Sequence, residues 1–224
     1  MRGGRAKSIL AITLATVEGD PVKLYDAGRA PNPRRVRIFL AEKAISVPIV
    51  PVDLGKLEHR APAFIAVNPL QKTPALELDD GTIITESIAI CRYFEEQQPE
   101  PPLFGTGPLG RATVEMWQRR LEFGLLGAVA TVFRHLHPAM AQMEIPQVAA
   151  WGETNKPRVI EFLRLVDSHL AGREFVCGSA FTVADITGLV GLDFMKPAKL
   201  AIPDELVHVR RWHAALTARP SAQA

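Results

Sequence analysis

A stretch dense in proline and glycine divides this chain into two unlike halves. Residues 99–110 contain four prolines and three glycines, and such a segment continues neither a helix nor a central strand. Before it, short β-branched runs alternate with helical patterns, whereas every periodic segment after it has helical spacing. We therefore expect a linker at 99–110 between two domains of different fold class.

The first half, residues 21–98, predicts one compact α/β unit. Strand and helix patterns follow one another in the order β-α-β-α-β-β-α. The Asp80-Gly81 pair between two apolar runs predicts a tight hairpin. Two prolines in the second strand favour a position at the sheet edge. The predicted strands are 22–25, 47–52, 74–78 and 82–84, and the predicted helices are 34–43, 62–66 and 87–97.

The second half, residues 111–224, predicts an all-helical domain. Thr182 and Asp185 have the spacing of an N-terminal capping box, with aspartate in place of the usual Glu or Gln. The segment that they begin is mostly apolar, which predicts a buried helix. The predicted helices are 111–143, 157–170, 182–194 and 205–218.

Composition and charge argue against several classes of function. The formal net charge of +2 gives no basic surface of the kind that nucleic acid needs. No apolar run approaches the roughly 18 residues of a membrane-spanning helix. Cys91 and Cys177 are too few for a disulfide framework and fit a reducing compartment, so we expect a cytoplasmic protein.

The first twenty residues faintly resemble a secretory signal, because three basic residues precede a short apolar stretch. That stretch is broken by threonines, and the acidic, proline-containing residues 18–21 follow it instead of a small-residue cleavage site. We therefore expect residues 1–20 to be a disordered, dispensable extension.

Three stretches of the sequence resemble the cytosolic glutathione transferase family. They are the strand, loop and helix of 23–37, the run 68–76 with 85–90 after the hairpin, and the capping segment 181–186. The resemblance implies a thioredoxin-like N-terminal domain with a mixed four-stranded sheet, followed by the all-α domain. It also implies glutathione as co-substrate, no metal, and a homodimer that pairs the N-terminal domain of one subunit with the helical domain of the other.

The same resemblance assigns six residues to glutathione. The peptide bond before Pro74 is expected to be cis, which turns the backbone of Thr73 toward the cysteinyl unit of the tripeptide. Glu86 and Ser87 open a helix, whose free N–H groups and partial positive charge suit the γ-glutamyl carboxylate; alone, this pair also reads as a plain helix cap. His59 and Lys72 match residues that reach the glycine carboxylate, or else are solvated surface groups. The six are His59, Lys72, Thr73, Pro74, Glu86 and Ser87.

The catalytic position departs from the family. The nucleophile is a thiolate, and a free thiol has a pKa of about 8.5. Ala30 stands where serine-type branches carry the activating serine, and alanine has no side-chain donor. Asn32 is our candidate for the donor, as in the Nu-like branch; it lies just before the predicted first helix, so capping is the alternative role. Loop backbone N–H groups and Tyr25 are the other candidates, although Tyr25 is better explained by packing.

For the second substrate, the predicted contacts lie on the first helix of the helical domain: Trp117, Arg120, Phe123 and Gly124. Aromatic residues at helical spacing are also common in cores, so this assignment rests on the resemblance. The predicted activity is conjugation of glutathione to a small electrophile. The alternatives are glutathione-dependent reduction of disulfides or peroxides, as in the Nu-like branch, and non-catalytic binding of glutathione, which Ala30 favours. A maleylacetoacetate-isomerase type is disfavoured because its serine-cysteine pattern is missing.

Overall fold

The computed structural model describes residues 22–224 and has the predicted fold class. A four-stranded sheet with three helices is followed by a helical domain. The predicted extension, residues 1–20, lies outside the described residues. Within residues 22–224, no helix is long and apolar enough to cross a membrane.

The N-terminal sheet is mixed, with strand order β2-β1-β3-β4. Strand β1 pairs parallel with β2 and antiparallel with β3, and β3 pairs antiparallel with β4. The proline-containing strand β2 is therefore at an edge, as its composition predicts. The strands are β1 (Lys23–Asp26), β2 (Ile49–Pro51), β3 (Ala75–Glu77) and β4 (Ile83–Thr85).

Three helices cover this sheet, and the first of them starts earlier than its sequence pattern predicts. Two prolines at 31 and 33 flank Asn32, and proline is favoured in the first turn because that position needs no N–H donor. Helix α1 therefore begins at Pro31, three residues before the predicted start. The helices are α1 (Pro31–Glu42), α2 (Pro62–Val67) and α3 (Ser87–Gln97), with a 3-10 turn at Glu58–Arg60.

The predicted single helix 111–143 is wrong at both ends and in its middle. Two α-helices and a π-helical segment take its place, and the first of them begins at Gly107, inside the predicted linker, because Pro108 suits a first turn. A π-helical segment at 122–127 interrupts it, and the helix ends at Leu136, shortly before Pro138. The elements are α4 (Gly107–Leu121), the π segment (Glu122–Gly127) and α5 (Ala128–Leu136).

The next helix, α6 (Ala149–Leu170), begins eight residues before the predicted start at Pro157. Proline normally marks a helix start or break, yet Pro157 lies inside α6. Packing explains the longer helix, because Gly152 is buried and a Cβ there would meet Leu136 at 2.6 Å. Tertiary contact has overridden the local signal.

Helix α7 (Val183–Met195) forms the centre of the helical domain, and α8 (Val207–Thr217) packs beside it. The capping box is confirmed: Thr182 caps α7, and its backbone N–H donates to the Asp185 carboxylate at 2.9 Å. The same carboxylate accepts from the Trp212 indole at 3.0 Å. Its complete burial raises the pKa of Asp185 to about 6.

Helix α1 joins the two domains, since it packs on α3 of its own domain and on α7 of the other. Two adjacent arginines cross this boundary. Arg34 donates to Asp193 of α7 at 2.6 Å, and Arg35 donates to Glu122 of the π segment at 2.9 Å. The N-terminus of α1 is therefore fixed relative to the helical domain by two neighbouring ion pairs.

Candidate functional site

The strand register brings the ends of β1 and β4 and the start of β3 together at one edge of the sheet, the edge formed by strand ends, where most of the predicted glutathione residues lie. Tyr25 near the end of β1 pairs with Ala75 at the start of β3, and Ala75 pairs with Thr85 at the end of β4. The loop into α1, the Thr73–Pro74 peptide and the Glu86–Ser87 junction are continuous with these strand ends. They therefore meet at the same edge, although they are up to sixty residues apart in sequence.

At this edge the Thr73–Pro74 peptide is cis, as the resemblance implies. No hydrogen bond among residues 22–224 uses the backbone N–H or C=O of Thr73. The preceding loop is held by Asn68, whose amide donates to the Lys72 carbonyl at 2.7 Å and whose oxygen accepts from the Leu70 N–H at 3.1 Å. An extended peptide can therefore pair with the free backbone of Thr73.

The junction of β4 and α3 has a backbone conformation that is unusual for a side-chain-bearing residue. Glu86 has φ 66° and ψ 116°, outside the regions that L-residues favour, and its side chain is exposed. Ser87 is the first residue of α3, and its hydroxyl has no partner among the described residues. Strained residues of this kind cluster at ligand-binding sites, and the helix N-terminus favours an anion.

His59 and Lys72 lie close enough for their charges to interact. The His59 imidazole is buried, and its Nδ1 has no hydrogen-bond partner within the described chain. Burial lowers the pKa of His59, and the positive charges of Arg60 and Lys72 lower it further. A buried, unpartnered ring nitrogen beside two cations is suited to an incoming carboxylate.

The catalytic loop differs from its predicted geometry at one point. Ala30 is the N-cap of α1, and Asn32 lies in the first helical turn instead of before it. Asn32 therefore does not cap α1. The reason is the pair of prolines on either side, which favours a helix start at Pro31. Because neither proline has an N–H, Asn32 supplies the backbone donor of this turn as well as a side-chain amide.

Tyr25 already uses its hydroxyl. The phenol donates to the Glu77 carboxylate at 2.7 Å, and the ring packs edge-on against Phe64 at 6.0 Å between centroids. The bond to Glu77 raises the pKa of Tyr25, with burial as a lesser cause. This arrangement supports the packing role over an activating one.

The four residues predicted to contact the second substrate do not converge. Trp117 is 2% exposed and stacks on His169 at 4.1 Å, so it belongs to the core. Arg120 is exposed on the surface above the Trp117 ring. Phe123 and Gly124 line a cavity of about 580 Å³ formed by the π segment, α5 and α6, with no lining residue from the N-terminal domain. Their role toward a second substrate stays a prediction that this placement does not favour.

Known proteins match both domains. A family model for the glutathione S-transferase N-terminal domain matches residues 20–96, and one for the C-terminal domain matches residues 129–220. Glutathione S-transferase 2 of Saccharomyces cerevisiae is 37% identical over 203 residues, covering 89% of this chain and 87% of the relative. The chain belongs to the glutathione S-transferase family.

Solved structures of the family agree with this fold over both domains. A glutathione S-transferase domain-containing protein of Marinobacter aquaeolei is 42% identical with a TM-score of 0.86, covering 89% of this chain and 98% of that one. Gtt2 of Saccharomyces cerevisiae gives 37% identity and a TM-score of 0.86, covering 90% of this chain and 98% of that one. The predicted fold class and family are confirmed.

Sequence reasoning did not single out two residues that the structure connects to Asn32. Arg35 donates to the Asn32 amide oxygen at 2.9 Å and to Glu122 at 2.9 Å. The spacing of Asn32 and Arg35, three residues apart on a helix, was a readable signal for the first contact. Nothing in the sequence pointed to Glu122, which lies 87 residues further on and meets Arg35 only in the tertiary structure.

Two other features of the described residues concern possible metal-binding clusters and the reactivity of the cysteine thiols. Within residues 22–224, no group of three or more His, Cys, Asp or Glu side chains is arranged to hold a metal ion. Burial raises the pKa of the Cys91 thiol to about 12 and that of Cys177 to about 11. Both thiols are therefore protonated near neutral pH, and neither is a competing nucleophile.

Proposed function

We propose that this protein is a glutathione transferase that stabilises the glutathione thiolate with Asn32 and conjugates it to a small electrophile. The observation that carries the proposal is the meeting, at one sheet edge, of a free backbone at Thr73, a helix N-terminus at Ser87 and a donor-bearing first turn at Asn32. Each suits a different part of glutathione, namely the cysteinyl backbone, the γ-glutamyl carboxylate and the sulfur.

Binding in this proposal follows the charges of the tripeptide. Thr73 pairs with the cysteinyl backbone, next to the cis peptide at Pro74. The Ser87 hydroxyl and the N–H groups in the first turn of α3 donate to the γ-glutamyl carboxylate, and the Glu86 carboxylate accepts from the α-amino group. His59 and Lys72 hold the glycine carboxylate at the other end of the site.

Activation needs a donor at the sulfur, because the thiolate is the nucleophile. Ala30 has no side-chain donor, its backbone N–H donates to the Ala27 carbonyl at 3.3 Å, and Tyr25 donates to Glu77. Among the candidate donors of the loop, we assign the role to the amide and backbone N–H of Asn32. The thiol proton passes to solvent, and the sulfur forms a bond to the electrophilic carbon. The leaving group departs with the electron pair of the broken bond, so that an aryl halide gives a thioether, a halide ion and a proton.

The proposal is tested by replacing the donor. Asn32→Ala should lower kcat by about 100-fold, the size expected when one hydrogen bond to a developing anion is removed. Tyr25→Phe should keep turnover within about twofold, since its hydroxyl serves Glu77. Turnover of an aryl halide, with glutathione binding followed by calorimetry, measures both. The reverse pattern would overturn the assignment to Asn32.

The same assays distinguish conjugation from the two alternatives, disulfide reduction and non-catalytic binding of glutathione. A small disulfide in place of the aryl halide tests reduction, in which one glutathione attacks the disulfide and a second releases glutathione disulfide. Bound glutathione that shows no thiolate absorbance at neutral pH, with neither substrate turned over, would identify a binding protein instead. Turnover of the disulfide alone would make reduction the function.

We also propose a homodimer, in which the N-terminal domain of one subunit meets the helical domain of the other. Exposed apolar side chains on each domain support it. Leu70 beside the glutathione loop is 63% exposed, and Phe123 beside the cavity of the helical domain is 69% exposed. Contiguous exposed apolar surface marks interfaces, and aromatic residues such as Phe123 are enriched in them. Sedimentation of a monomer at micromolar concentration would refute the dimer.

A cytoplasmic location is part of the same proposal. Cys91 and Cys177 are both free thiols, which suits a reducing compartment. Fractionation of the source cells tests it, and recovery outside the cytoplasm would contradict it.

A further inference from the structure

The Asn32 side chain is held from one side by a buried guanidinium. Arg35 lies one helical turn further along α1, is 4% exposed, and donates from Nη2 to the Asn32 Oδ1 at 2.9 Å. The Asn32 side chain itself is only half-buried, and its Nδ2 has no partner among residues 22–224. The amide is thus fixed at its oxygen and free at its nitrogen.

The chemistry of arginine decides which way this amide points. A guanidinium has five donors and no acceptor, so it can only hold the oxygen end of an amide. The NH₂ group is then directed away from Arg35, with both of its donors available. Without Arg35 the carboxamide is free to rotate by half a turn, and the oxygen would then face a thiolate that it repels.

Arg35 is in turn fixed from the other domain. Its Nη1 donates to Glu122 at 2.9 Å, and Glu122 also accepts from Arg119 at 3.3 Å. Glu122 begins the π-helical segment that interrupts the long helix, and such segments are frequent at functional sites. The Arg35 Nε is buried without a partner, which costs stability and argues against a purely structural role.

We propose that Arg35 is a positioning residue, which turns the Asn32 amide so that its NH₂ faces the glutathione sulfur, and that Glu122 holds Arg35 for this purpose from the helical domain. This inference rests on the proposed function of Asn32. It makes thiol activation in the N-terminal domain dependent on contact with the second domain.

The decisive variant is Arg35→Lys, which keeps the positive charge but loses the two guanidinium nitrogens that donate separately to Glu122 and Asn32. A lysine is a compact point donor and does not serve Asn32 and Glu122 together as the guanidinium does. We expect the thiol pKa of bound glutathione to rise by about one unit, which reduces the thiolate fraction about tenfold at a pH below that pKa. We expect kcat to fall in parallel and the KM for glutathione to change less than about twofold, since uniform binding is untouched.

A double variant tests whether Arg35 acts through Asn32. If it does, Arg35→Lys in an Asn32→Ala background should change kcat by less than about twofold and the thiol pKa by less than about 0.3 units, because contacting residues are not additive. If Arg35 acts directly through its charge, the lysine variant should match the parent. A parental thiol pKa in Arg35→Lys, or full additivity with Asn32→Ala, would overturn the proposal.

Arg34→Lys is the matched control. Arg34 is the neighbouring residue of the same turn and makes the parallel interdomain pair with Asp193 at 2.6 Å, but it does not touch Asn32. It should perturb domain contact to a similar extent and leave the thiol pKa unchanged. An equal rise of the thiol pKa in both variants would mean that domain contact in general, and not Arg35, sets the pKa, and would overturn the proposal.

Glu122→Gln provides a second measurement if the lysine variant does not fold. Removal of a negative charge near the thiolate should by itself lower the thiol pKa, whereas loosening of Arg35 should raise it. We expect a rise, and a fall would overturn the proposal. The proposed function of Asn32 fails separately. If Asn32→Ala keeps the parental thiol pKa, the proposed function is refuted. If Asn32→Ala changes the thiol pKa but the Arg35 and Glu122 variants keep the parental value, only this inference is refuted.

Discussion

The two sides of the candidate site differ in how far nearby residues in the sequence determine where its side chains lie. On the sheet side, the predicted glutathione residues occur in short contiguous runs next to strand ends, and the register brings those runs together. On the helical side, the predicted second-substrate residues lie on consecutive turns of the predicted helix. Trp117 is nevertheless buried in the core, and Phe123 lines a surface cavity. The register thus brings motifs at strand ends together, whereas packing sets the rotation of a helix and decides which of its residues are buried.

The sharpest test of that contrast is Trp117→Ala. Because the indole is buried against His169, its removal should lower the free energy of unfolding by about 3–5 kcal/mol. Chemical denaturation measures this loss. The folded variant should keep its KM for the electrophile within about twofold, as uniform binding is unaffected. A large rise in that KM with little loss of stability would instead place Trp117 in the cleft.

On the sheet side, Glu86→Gln should raise the KM for glutathione by about tenfold, because the charge-assisted bond to the α-amino group becomes a neutral one. The turnover number should change little, since the bond is remote from the sulfur. Glu96→Gln is the control, as Glu96 is an exposed carboxylate at the other end of α3. Equal KM values for Glu86→Gln and the parent would remove Glu86 from the site.

The pH dependence of binding tests the His59 end of the same edge. Burial and the charges of Arg60 and Lys72 lower the pKa of His59, so the free protein holds a neutral imidazole near pH 7. A bound carboxylate favours the charged form, so the pKa is higher in the complex than in the free protein. Binding should therefore take up a proton and strengthen as the pH falls from 7.5 through the pKa of the complex, by about threefold.

Calorimetry in two buffers of different ionisation enthalpy measures that proton uptake. His59→Gln should abolish it while keeping a donor for the carboxylate. Proton uptake that persists in the variant would assign it to another group and would leave His59 as a core residue.

The smallest effect is expected at the cavity of the helical domain that Phe123 lines. Phe123→Ala should leave kcat and both KM values within about twofold of the parent, because Phe123 lies on a cavity with no N-terminal lining residue. It should weaken dimerisation instead, which sedimentation at several concentrations measures. A large rise in the electrophile KM with an intact dimer would restore Phe123 to the second-substrate site.

Much of this fold could be predicted from the sequence because the signals that specify it are local. The Asp-Gly turn, the prolines of an edge strand and the capping spacing of Thr182 and Asp185 each act within a few residues. The helix boundaries could not be predicted where local sequence signals and tertiary packing disagree. Pro157 reads as a start but lies within α6, and the stretch 122–127 reads as regular helix but is a π segment.

By itself, the sequence determined the two fold classes and their order, and it predicted which residues approach glutathione, since these depend on periodicity and on motifs fixed to strand ends. Only the tertiary structure decided how those groups are oriented. Arg35 and Glu122 are 87 residues apart and meet because α1 packs against the helical domain. Long-range charge pairs of this kind leave no periodic trace in a single chain, because each partner is placed by the packing of a different element.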